Sequence, residues 1–198
     1  MNVRLQYDLE FLGGIYYQEL LQLNQYRVSL SLTTQTKNPA DTNIAMDRLK
    51  CFVLGELEST VFINQSMLER GELMSMMGIN ITTLPEEPVD QIIGIMLFQK
   101  LNAIMEGRMT VDSLDISSSL GDNVWYQHDI EDALGPFNQP GWWDDPGPGH
   151  SLLPLNNTDN VVKITDNQWR EYDLEWPEET AEHSGNTVVF ANFPKNEN

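Results

Sequence analysis

Val3-Arg4-Leu5-Gln6-Tyr7-Asp8-Leu9-Glu10-Phe11 alternates apolar and polar side chains without a fault. A period of two marks a strand that buries one face and wets the other. Tyr26, Val28, Leu30 and Leu32 alternate in the same way with Arg27, Ser29, Ser31 and Thr33. Two such strands near the start of the chain predict a sheet with one solvated face. Gly13-Gly14 reads as the break that ends the first strand. Between them, Ile15 to Gln25 fits either an extension of a long hairpin or a short helix, and its Tyr-Tyr and Leu-Leu pairs do not choose.

Working outward, the period changes to that of a helix. Asn38 can cap, Pro39 suits the first helical position and Asp41 favours the positive end of the helix dipole. Ala45, Leu49, Phe52, Val53 and Leu57 then form an apolar stripe at helical spacing. Ser66 with Glu69 reads as a capping box for a shorter helix ending at Gly78. Met67, Met74, Met76 and Met77 gather there, and core filling is the simpler use of them than an adaptable binding surface. Ile79 to Leu84 reads as a brief strand. Pro85 and Pro88 lead into the most apolar helix of the chain, with Val89, Ile92, Ile93, Met96, Leu97, Leu101 and Ile104. Thr110 to Ser117 and Asn123 to His128 read as a hairpin with Gly121-Asp122-Asn123 in the connection. Strands, then helices, then strands predict an α+β fold: a small, mostly antiparallel sheet with two long helices packed on one face.

The 198 residues suit one domain with an irregular extension. A change of composition near Leu134 marks the boundary. Residues 1–133 read as the α+β core. Residues 134–198, rich in Pro, Gly, Asn and Asp, read as an acidic extension tied to the core through its Trp residues. The formal charge is −19. Residues 1–110 hold 8 basic and 13 acidic side chains, whereas residues 111–198 hold 3 and 17. So few cations exclude a grip on nucleic-acid phosphates and adhesion to anionic membranes. The longest apolar run, Ile92 to Phe98, is too short to span a bilayer. Asp8 and Glu10 interrupt any secretion signal at the N-terminus. Cys51 is the single cysteine, so no intrachain disulfide can form. These features predict a soluble, cytoplasmic protein.

Two groups of residues are candidates for function. His128, Asp129, Glu131 and Asp132 lie within five positions. Joined by His150 and the pair Asp144-Asp145, they could form a divalent-metal site for hydrolysis or nucleotide processing, because imidazole and carboxylate suit Zn, Mn or Fe. A solvated carboxylate loop explains the same residues more simply. The second group is a partner-binding set: Trp142, Trp143, Asp144 and Asp145, then Glu175, Glu178, Glu179 and Glu182 among Trp169, Tyr172 and Trp176. Trp is a common interface anchor, and spaced carboxylates suit a basic partner. Gly13-Gly14 lacks the further Gly and Lys of a phosphate loop, and no Gly-x-Ser-x-Gly elbow occurs. No cofactor is expected.

Asn43 to Ile63, with Met46-Asp47-Arg48-Leu49-Lys50 and Glu58-Ser59-Thr60-Val61-Phe62-Ile63, resembles a family of uncharacterised proteins encoded by T4-like tailed bacteriophages. Leu84-Pro85-Glu86-Glu87-Pro88-Val89-Asp90-Gln91-Ile92-Ile93-Gly94-Ile95-Met96, continuing through Lys100-Leu101-Asn102-Ala103-Ile104-Met105-Glu106, carries the same resemblance. It covers roughly residues 1–130. It implies a phage gene product made in a bacterial cytoplasm, and it assigns no activity and no site residue. The leading expectation is therefore a non-enzymatic protein that binds a basic protein surface of host or phage. A homo-oligomer is compatible with it.

Overall fold

The computed structural model describes residues 3–122, 124–130, 135–149 and 168–177. The first two strands, β1 (Arg4–Tyr17) and β2 (Leu20–Thr34), form one long antiparallel hairpin. The turn is Gln18-Glu19, with φ of 49° and 62°. Positive φ at both central residues twists the two strands in the sense a hairpin needs. The hairpin option for Ile15 to Gln25 is therefore the right one, and Gly13-Gly14 ends nothing. The glycines lie mid-strand because another strand comes close: a Cβ on Gly13 would stand 3.3 Å from the Thr60 carbonyl, and one on Gly14 3.3 Å from a Val61 methyl.

After the hairpin come α1 (Pro39–Lys50), β3 (Thr60–Asn64), α2 (Leu68–Met76), β4 (Ile81–Leu84), α3 (Asp90–Met105), β5 (Met109–Ser118), β6 (Tyr126–Asp129) and the short α4 (Gln168–Glu171). The sheet has the order β4-β3-β1-β2-β5-β6. Its β1–β2, β2–β5 and β5–β6 pairs are antiparallel, while β3 runs parallel to both β1 and β4. The chain is thus α+β with a mixed, mostly antiparallel sheet. No described helix is long and apolar enough to cross a membrane.

Asn38 caps α1, accepting from the Ala40 N–H at 3.1 Å. The helix runs on through a π-helical turn, Cys51–Glu56, in which the Leu57 N–H reaches back to the Phe52 carbonyl. The apolar stripe Ala45, Leu49, Phe52, Val53 and Leu57 is buried. It joins Ile93, Met96, Leu97 and Leu101 of α3 and Leu9, Val28 and Leu30 of the sheet in one core. Leu5 and Ile92, expected inside, are only partly buried against it. The capping box at Ser66 does not form. Asn64 instead accepts from the Ser66 N–H at 2.8 Å and starts a 3₁₀ turn that precedes α2. Val61, Ile63 and Ile81 point the other way from Phe62 and make a second, smaller cluster with Leu68 and Met74 of α2. Met76 and Met77 fill no core and are 77% and 79% exposed.

Gly94 sits in the middle of α3, where glycine ordinarily costs about 0.5–1 kcal/mol against alanine. Here it admits the β6 side chain beneath. A Cβ at Gly94 would stand 2.6 Å from His128 Nε2 and 2.8 Å from an Ile116 methyl. Gly94→Ala is therefore expected to destabilise by about 1–3 kcal/mol, the overpacking cost exceeding the helix gain. Urea denaturation measures this. The penalty should shrink in a His128→Ala background, and an unchanged penalty there would locate the strain elsewhere.

Candidate functional site

The irregular part of the chain is held by two cations that belong to the helices. The first is Lys100 on α3. Its side chain is fully buried. Nζ donates to the Asp145 carbonyl at 2.7 Å and the Trp142 carbonyl at 3.2 Å. The rings of Phe52 and Trp142 each lie 5.7 Å from the ammonium. Burial pulls the Lys100 pKa down to about 8, with Asp145, Asp144 and Glu56 pulling the other way. A wet edge of α3 is thus not where this lysine lies. It organises residues 141–147 from below.

Trp142 and Trp143 both turn back onto the core. Trp143 is buried, edge-on to Phe137 with centroids 4.7 Å apart. Trp142 is partly buried, and its Nε1 donates to the Thr83 carbonyl at 3.0 Å. The Trp143 ring is spent on packing, which leaves no outward-facing anchor there, while the Trp142 ring packs in part and makes the Thr83 bond. Asp144 is exposed and Asp145 half-buried. The Asp145 carboxylate accepts from the Gly147 N–H at 2.7 Å, which shapes the loop.

The second cation is Arg48 on α1. It is buried, with Nη1 2.6 Å from Glu106 Oε1 and 3.2 Å from the Ile104 carbonyl. Its Nε donates to the Leu174 carbonyl at 2.8 Å. The guanidinium also contacts two indoles, 4.7 Å from the Trp169 centroid and 3.9 Å from that of Trp176. Arg108 stands 4.7 Å from the Trp176 centroid as well. Burial lowers the Arg48 pKa and Glu106 supports it. Trp169 is buried and donates to the Pro146 carbonyl at 2.6 Å, so the two irregular pieces are tied to each other. Tyr172 donates to Glu56 Oε1 at 2.7 Å, and that bond raises the phenol pKa to about 12. With residues 168–177 pinned in this way, Glu171, Asp173 and Glu175 are exposed on them.

The metal alternative meets a different geometry. His128 is buried on the core side of β6, under Gly94. Asp129, next along the strand, points to the opposite face, as strand alternation requires. Glu131, Asp132 and His150 lie outside the described residues, as do Glu178, Glu179 and Glu182. Among the described residues, no group of three His, Cys, Asp or Glu is placed to hold a metal ion. From sequence, Arg48 draws no notice and Lys100 reads as the wet edge of its helix, although a cation amid an apolar helical stripe is the available signal for both.

No protein-family model matches the chain, and no curated protein matches it. Two solved structures are similar to it in outline. An uncharacterized protein of Wolinella succinogenes aligns at a TM-score of 0.47 and 12% identity, covering 66% of this chain and 99% of that one. The 6-pyruvoyl tetrahydropterin synthase of Plasmodium falciparum aligns at 0.41 and 14%, covering 64% and 96%. Both likenesses are too distant to say what this chain binds or does.

Proposed function

We propose that the protein is a non-catalytic interaction protein that binds a basic protein surface through carboxylates held in a fixed array. In this reading α1 and α3 lie together on one face of the sheet and form the seat on which the acidic extension rests. The resemblance to T4-like phage proteins adds that the chain is a phage gene product acting in the bacterial cytoplasm, on a host or phage partner. The observation that carries the reading is the clasp at Arg48: two indoles and the Leu174 carbonyl lock residues 168–177, whose carboxylates then face solvent. Fixed charges steer a complementary partner better than a swept cloud does, because orientation is already set. Glu178, Glu179 and Glu182 extend the acidic run in sequence.

The test is capture from infected and uninfected bacterial lysates at low and high salt, followed by kinetics with the captured partner. Neutralising Glu171, Asp173 and Glu175 together, as Gln, Asn and Gln, should slow association by about tenfold. It should leave the melting temperature within a degree or two, since exposed surface substitutions rarely move stability by more than about 0.5 kcal/mol. Asn at 173 tolerates the left-handed backbone found there, with φ of 58°. Capture that is indifferent to salt, or an on-rate untouched by the triple change, would defeat the proposal.

A further inference from the structure

Among the described residues, the long hairpin ends in an unpaired edge. β5 pairs with β2 from Thr34 back to Tyr26 and goes no further. Ser119 then takes up Gln25, each donating from its N–H, to the Gln25 carbonyl at 2.9 Å and the Ser119 Oγ at 3.2 Å. Beyond that point, among the described residues, no strand continues along β2. A two-residue turn makes Tyr17 and Leu20 a hydrogen-bonded pair, so alternate residues point their backbone groups away from β1. Those residues are Leu21 and Leu23, and Gln25 is the next in the series. The backbone N–H and C=O of Leu21 and Leu23 thus form an open edge.

The side chains there are as unusual as the edge. Leu21 and Leu23 stand on the face of the hairpin away from the main core, 48% and 85% exposed, beside Leu12 at 55%. Leu20 is 58% exposed on the other face. Edge strands normally carry Lys, Pro or a bulge that blocks pairing. Residues 20–26, Leu-Leu-Gln-Leu-Asn-Gln-Tyr, have none of these and no charge.

We propose that this edge is a self-association site, in which the β2 arms of two copies pair antiparallel about a two-fold axis at Gln22. Leu21 of each copy faces Leu23 of the other, and the two facing pairs exchange four backbone hydrogen bonds. The facing leucines fall on one side of the joined sheet and continue the strip begun by Leu12. Each turn, at Gln18-Glu19, comes to rest near Ser119 of the opposite copy. Charge argues for a second copy as the occupant. A basic partner finds its attraction on the acidic surface, and the arm offers it none. Two copies carrying −19 each repel except where neither presents a charge, and from Phe11 to Tyr26 Glu19 is the single charged side chain. The dimer must therefore strengthen as salt rises, because screening removes repulsion between the bodies and leaves apolar contact and backbone bonds intact. That is the reverse of the salt response of an acidic surface binding a basic partner.

Analytical ultracentrifugation of the full chain at low and high salt tests this. The expected result is a mass of twice 22.6 kDa, with the dimer fraction growing with salt. Leu23→Lys should raise the dissociation constant by about tenfold or more, as loss of a central anchor does. Leu23→Pro removes an N–H that faces away from β1, so it should break the dimer while the hairpin stands. Gln22→Cys reads the register directly. Facing residues of a non-hydrogen-bonded pair stand about 4.5 Å apart at Cα, within disulfide reach. The variant should form a disulfide-linked dimer under mild oxidant, and Leu20→Cys should not. A monomer at every salt concentration overturns the proposal, as does a dimer that both Leu23 variants leave intact. Leu21 and Leu23 amides protected from exchange in a monomer would also overturn it, since the chain would then cover its own edge.

Discussion

Arg48→Ala is expected to cost the fold about 3 kcal/mol or more and to release residues 168–177. Removing one partner of a buried ion pair ordinarily costs about 3–5 kcal/mol, chiefly through the charge left behind. Glu106, the charge left behind here, keeps a third of its side chain in water, which places that contribution at the low end. Two further losses add to it. The Ile104 and Leu174 carbonyls lose their guanidinium donor, and the Trp169 and Trp176 rings lose the cation between them. A cation over an indole contributes roughly 0.5–2 kcal/mol, depending on how dry the contact is. Arg48→Lys should recover little, because an ammonium cannot present a planar fork to Glu106 and a flat face to the rings. Urea denaturation gives the stability, and limited proteolysis read by mass spectrometry gives the segment. The wild-type protein should resist cleavage within 168–177, and the variant should be cut there first. A loss below about 1 kcal/mol with an unchanged cleavage map would show that the segment is held by something other than Arg48.

What the sequence showed and what it hid differ for physical reasons. The strands β1 and β2 and the helix α1 each bury one face, so their periods of two and of 3.6 are written in the residues, whereas α3 is buried all round from Ile93 to Phe98 and shows in the sequence as an apolar run. The hairpin turn was not legible, because Gln18-Glu19 is no turn-forming pair. The long ladder of β1 and β2 imposes positive φ on it. Gly13-Gly14 was legible as a break but serves a close approach of β3, which only the tertiary structure reveals. The side-chain cap at Asn64 belongs to the 3₁₀ turn ahead of α2, and α2 itself follows Met67 without a side-chain cap, because the preceding turn already leads the backbone into it. Of the candidate site residues, Trp143 was legible as a tie to the core, because an irregular segment must be held by something, but its packing partner Phe137 was not.

Both cations that hold the extension come from the part of the chain whose periodicity reads as core. Arg48 interrupts the stripe of α1 and Lys100 that of α3. A fully apolar stripe would bury the same area but would take from the carbonyls of residues 145 and 174 the side-chain donors seen here, and leave the Trp142 carbonyl with the Asp145 N–H alone. Buried carbonyls without donors cost about 1–3 kcal/mol each. At these carbonyls of the described residues the helices supply donors. This links the acidic surface to the core energetically: carboxylates stay in place only while two buried cations do.

Lys100→Met should then destabilise the protein at neutral pH by about 2 kcal/mol, and the deficit should widen in alkali. Methionine fills the space of the lysine stem as far as Cε and removes the buried charge, but it takes the ammonium donor from the Asp145 and Trp142 carbonyls, the latter keeping only the Asp145 N–H. Relief of burial and loss of two charge-assisted bonds oppose each other near pH 7, and two such bonds at about 1.5–3 kcal/mol each outweigh the relief. The sign in alkali follows from proton counting. In the folded state burial holds the Lys100 pKa at about 8, against an ordinary value of 10.5. Between those values the unfolded chain keeps a proton that the folded protein has released, so stability rises with pH. From near pH 7 to near pH 9.5 the gain attributable to Lys100 is about 2 kcal/mol. The methionine variant lacks it. Other groups act in the opposite direction over the upper part of this range. Burial raises the pKa of Tyr26 and of Cys51, and the Glu56 bond raises that of Tyr172, so each costs stability as its unfolded form ionises. Those contributions are common to both proteins and cancel in the difference. Urea denaturation of the pair across this range should therefore show the gap growing from about 2 to about 4 kcal/mol. A constant gap would mean that Lys100 titrates in the folded protein as it does in a free chain, and that the carbonyls of residues 142 and 145 do not hold it out of water.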